Sequence, residues 1–107
     1  MRCLIVKPGM SPDTIDIPNE LENLQAAVGG YIEAVTLSNT AALLVNEDGK
    51  NLGLPFNRVL LDKRCFLRDT LVGNILIVGV DGEEFTSLNK AQCEFYAYLF
   101  RNNMVYL

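Results

Sequence analysis

The side chains best suited to chemistry in this sequence are cations. Lys50, Arg58, Lys63, Arg64 and Arg68 are five of its nine Lys and Arg residues, and Asp62 is the only acid among residues 50–68. That stretch is net +4 in a chain of net charge −4, so the remainder carries −8. A local basic surface of this kind suits a phosphorylated small ligand, because Arg grips phosphate through two parallel N–H donors. The competing reading is a solvated loop whose cations pair with Glu47, Asp48 and Asp69. Asn57 lies within the stretch and can orient a base or ribose edge. Upstream, Gly29-Gly30-Tyr31 is either a close backbone approach to a ligand or a helix stop followed by a strand. Tyr31 and Glu33 share a strand face, which lines a pocket or faces solvent. The candidate ligand contacts are therefore Tyr31, Glu33, Asn57, Arg58, Arg64 and Arg68.

Other chemistries find little support. The sequence has no histidine, which removes the usual general base near neutral pH and every Ser-His or Cys-His pair. Cys3, Cys65 and Cys93 are widely spaced and too few for a four-thiolate zinc site. Asn46-Glu47-Asp48-Gly49 reads as a turn, since no series of oxygen ligands at calcium-loop spacing follows it. Gly73-Asn74 and Gly79 lack the frame of a dinucleotide fingerprint. Neither a metal nor a cofactor is expected, and a non-enzymatic binding protein is. The negative net charge argues against non-specific nucleic-acid binding. No secretory or membrane-spanning segment is recognisable, so reduced thiols and a cytoplasmic location are expected.

The elements that must position these residues are legible in outline. With 107 residues, half of them apolar, residues 1–107 are expected to form a single domain around one core. Cys3–Val6 and Asp13–Ile17 read as paired strands around a Pro-Gly turn. Asn19 and Glu22 are spaced as a capping box for a helix whose stripe is Leu21, Leu24, Gln25 and Val28, stopped at Gly29-Gly30. Residues 31–37 and 41–45 read as strands, 52–68 as irregular, and 74–80 as a buried strand. Asn89 and Gln92 form a second capping box, and Leu88 can staple against Cys93. Phe95, Tyr96, Leu99 and Phe100 form one face of that last helix, and the apolar end Met104–Leu107 packs on the body or on another subunit. This order predicts an α+β fold: a mixed or mostly antiparallel sheet of about five strands, with two helices on one of its faces.

Three segments taken in order also resemble a known family. Leu24–Glu33 fits the pattern LQxxVGGYIE, Asn46–Lys50 reads NEDGK, and Gly53–Arg58 reads GLPxNR. Together with Asn74–Gly79 and Phe85–Leu88, they resemble small proteins of bacteriophages and bacterial mobile elements known only as a domain of unknown function. The chain departs from that pattern at Asp62–Phe66, where it is basic and the family tends to be acidic. The resemblance implies a phage or mobile-element origin. By analogy it implies a counter-defence role, either as an oligomer sequestering a cyclic nucleotide signal or as an inhibitor bound to a host protein.

Overall fold

A computed structural model describes all of residues 1–107. Nine strands and two helices follow one another: β1 (Arg2–Val6), β2 (Asp13–Asp16), α1 (Leu21–Val28), β3 (Ile32–Ser38), β4 (Ala41–Asn46), β5 (Phe56–Leu61), β6 (Leu67–Val72), β7 (Ile75–Asp81), β8 (Glu84–Thr86), α2 (Lys90–Leu99) and β9 (Met104–Tyr106). The fold is α+β. Its first sheet runs β2-β1-β7-β4-β3, with β8 also on β7, and every pairing is antiparallel. A second sheet runs β6-β5-β9; its β5–β9 pair is parallel.

Period-two alternation decides which layer covers which face. Leu4, Leu43, Ile75 and Ile77 point to the side that holds α2 and the second sheet, where they meet Leu60, Leu71, Tyr96, Phe100 and Val105. Their neighbours Cys3, Ala42, Leu44, Leu76 and Val78 point the other way and bury Leu24 and Val28 of α1. The two helices therefore lie on opposite faces of the first sheet, correcting the expectation of one shared face. Burial on both faces is why β4 and most of β7 read as continuous apolar runs. Each such Leu or Ile contributes about 1.5–3 kcal/mol on leaving water.

Local signals were mostly obeyed. The Asn89 capping box forms in both directions, at 2.8 and 2.9 Å, and Gly29 ends α1 with a left-handed φ of 81°. The first capping box does not form. The N-cap is Glu20, without a side-chain bond, because the Asn19 amide instead donates to the Phe85 carbonyl at 2.8 Å. On α2 the inward stripe is Cys93, Tyr96, Ala97 and Phe100, while Phe95 is exposed. The middle of the stretch read as irregular is strand β5, which pairs with β6 and β9 to build the second sheet. Register shifts at Asn57 and at Arg68 are β-bulges, which break the alternation that marks a strand in sequence.

Candidate functional site

The six expected ligand contacts do not form one site. Tyr31, 68% exposed, stands just before β3, where its carbonyl accepts from the Glu47 N–H at 2.9 Å. Glu33 is exposed on β3, and Arg64 and Arg68 are exposed around the β5–β6 turn. Of the six, only Glu33 lines any of the three clefts. Its cleft, about 130 Å³, lies between the first sheet and β6, and the Lys50 ammonium spans it to Asp69 at 2.8 Å. That contact, with Asp69 and Glu33 nearby, raises the Lys50 pKa above its ordinary value.

Asn57 and Arg58 are interior residues, 1% and 2% exposed, at odds with their expected role as ligand contacts. The bulge at Asn57 lets both consecutive side chains turn inward. Arg58 donates from Nε to the Phe100 carbonyl at 2.9 Å, from Nη2 to the Met10 carbonyl at 2.7 Å, and from Nη1 to Asn57 Oδ1 at 2.8 Å. The Asn57 amide donates in turn to the carbonyls of Val6 and Gly73, at 2.8 and 2.7 Å. No carboxylate reaches the guanidinium; its charge is met by carbonyl dipoles, among them the buried C-terminal end of α2 at Phe100. Burial lowers its pKa below the ordinary value. This pair ties β5, β1, the β1–β2 loop and α2 together, with four of the five guanidinium N–H donors already engaged within the chain.

The motif segments also converge for structural reasons. Asn46, 7% exposed, donates to the Gly29 carbonyl at 3.2 Å and accepts from the Asp48 N–H at 2.9 Å. A Cβ on Gly30 would sit 2.7 Å from Asn46 Nδ2, so the second glycine is the space that this amide occupies. Asn74 reaches the Ala27 carbonyl at 3.2 Å. Beside them is a shallow cleft of about 360 Å³, walled by Val28, Leu52, Leu54, Pro55 and Gly73.

A more coherent surface lies outside the six expected contacts and includes part of the apolar end Met104–Leu107. On the second sheet, Leu60 and Val105 face the core, so their neighbours face out. Leu67, Leu61 and Tyr106 are in register across the three strands, followed by a row of Thr70, Val59 and Met104. Leu67 is 64% exposed, Met104 54% and Tyr106 47%. Phe66, 65% exposed, extends the row at the turn. Phe66, Leu67, Met104 and Tyr106 thus form an exposed apolar cluster around the half-buried Val59 and the buried Leu61. The apolar end Met104–Leu107 was a partial signal for it, but only pairing with β5 reveals which side chains join it.

The turn beside that face is basic. Asp62 Oδ1 accepts from the N–H groups of Arg64 and Phe66 at 2.8 and 3.0 Å, which fixes the turn and occupies its one acid. Cys65 takes a left-handed φ of 67° there. Lys63, Arg64 and Arg68 make no ion pair. Cys65 is the exposed thiol; Cys3 and Cys93 are buried, and burial pushes Cys3 up to about 11. No group of three His, Cys, Asp or Glu residues is placed to hold a metal ion, and no helix is long and apolar enough to cross a membrane.

Residues 1–101 match the family model described as Domain of unknown function (DUF3846), and the chain belongs to that family. No curated protein and no solved structure matches it.

Proposed function

We propose that this DUF3846 member is a non-catalytic binding protein that docks on an acidic, partly apolar surface of another protein through the outer face of its second sheet. The observation that carries this reading is the in-register row Leu67–Leu61–Tyr106, whose outer members Leu67 and Tyr106 are exposed while Leu61 is buried, bordered by unpaired Lys63, Arg64 and Arg68. Apolar anchors inside a charged rim are the anatomy of a protein interface. The rim also argues against this face meeting its own copy, since a two-fold contact would set like charges together. The resemblance to phage and mobile-element proteins points to a bacterial host protein in the cytoplasm, with inhibition of a defence component as the activity.

The test is capture from nuclease-treated bacterial lysate on the immobilised chain. The expected result is a stoichiometric protein partner that is lost with Leu67→Glu and retained less well as salt rises. A partner indifferent to Leu67→Glu, or material that disappears on nuclease treatment, would sink this reading.

A second reading keeps the phosphorylated small molecule, such as a cyclic nucleotide. The exposed, unpaired Arg64 and Arg68 favour it. No cleft within one chain joins them to Tyr31 or Glu33, so this reading requires a pocket assembled between copies. A thermal shift with cyclic nucleotides that is abolished by Arg64→Ala supports it; no shift with any of them counts against it.

A further inference from the structure

The first sheet has two edges of unlike character. At one, β2 is four residues long, carries Asp13 and Asp16, and lies between Pro12 and Pro18. Short length, charge and proline are the devices that keep an edge from pairing. At the other, β3 is seven residues long, has Glu33 as its only charge, and has no proline or lysine. It pairs with β4 alone.

The direction of its backbone groups can be read from the ladder. The Tyr31 carbonyl accepts from the Glu47 N–H, so Tyr31, Glu33 and Val35 aim their polar groups at β4. Alternate residues aim the opposite way. Ile32, Ala34 and Thr36 therefore present N–H and C=O at the free edge, with no partner elsewhere in the chain. A bulge between Thr36 and Ser38 ends the regular segment.

We infer that two copies of this chain join along β3, antiparallel, about a two-fold axis at Ala34. That axis sets Ala34 opposite Ala34 and Ile32 opposite Thr36, so every outward group in the regular segment finds a partner. Glu33 falls opposite Val35, and no like charges meet. An axis at Val35 would instead set Ile32 against Ser38, across the bulge. The joint makes one continuous sheet from two and uses no residue of the second sheet, so it stands or falls separately from the docking face.

The experiment is sedimentation of the full chain over a concentration series, with circular dichroism to verify folding. The wild type is expected at twice the 11.9 kDa chain mass. Ala34 is exposed, so Ala34→Asp and Ala34→Lys are expected to fold and to be monomeric, because each opposes two like charges. Mixed together, the two variants are expected to recover the dimer, since residue 34 faces itself. Ala34→Pro, which removes an outward N–H and leaves the β4 ladder intact, is also expected to be monomeric. A wild type that is monomeric throughout, a dimer indifferent to these changes, or a mixture that stays monomeric overturns the inference.

Discussion

The guanidinium of Arg58 and the carbonyl of Phe100, 42 positions apart in sequence, are joined by a buried hydrogen bond of 2.9 Å from Nε. Through it the second sheet holds the C-terminal end of α2. Arg58→Met is expected to strand the Phe100 and Met10 carbonyls and Asn57 Oδ1. At about 1–3 kcal/mol for each buried group left unpaired, the loss is ~3 kcal/mol or more. Urea unfolding measures it. Arg58→Lys is expected to rescue little, because one ammonium cannot reproduce the fork.

Gly30→Ala is expected to destabilise by ~1–3 kcal/mol, since its Cβ displaces the Asn46 amide from the Gly29 carbonyl. The same change on an Asn46→Ala background is expected to cost measurably less, because the colliding amide is gone. A double-mutant cycle by urea unfolding reads this coupling; additive effects would refute it.

On the outer face of the second sheet the expectation is reversed. Leu67→Glu changes a side chain that is 64% exposed, and stability is expected to move by no more than about 0.5 kcal/mol. A large loss on thermal unfolding would mean that Leu67 belongs to the core, not to a docking face.

Thiol reactivity should separate the three cysteines. Cys65 is exposed, whereas Cys3 and Cys93 are buried, and burial raises both buried pKa values. One equivalent of alkylation is expected near neutral pH and three after unfolding, counted by mass spectrometry. The folded state keeps the Cys3 proton up to about 11, against 9.0 for the free thiol. Below that lower value the contribution to stability is fully present. Between the two the unfolded chain alone loses the proton, so stability is expected to fall as pH rises through this window.

Much of the first sheet and both helices could be read from the sequence. The run Ile75–Val78 is apolar without interruption because it is buried on both faces, and the Asn89–Gln92 cap is a contact three residues long. Strand β5 was illegible for the opposite reason. Its inward residues include Asn57 and Arg58, whose partners Val6, Met10, Gly73 and Phe100 lie far along the chain. In sequence, a polar pair inside a bulged strand has the same appearance as a ligand-binding surface loop.

The α+β class, the α2 cap, the main turns and the family pattern were legible in the chain alone, because all of them rest on local spacing or composition. Which cations are free depends on long-range packing. Arg58 differs from Arg64 and Arg68 in nothing that residue type reveals; it is buried because carbonyls from two distant segments, at Met10 and Phe100, converge on it. The same folding leaves Leu67, Tyr106 and Met104 exposed, because the second sheet has only one face against the core.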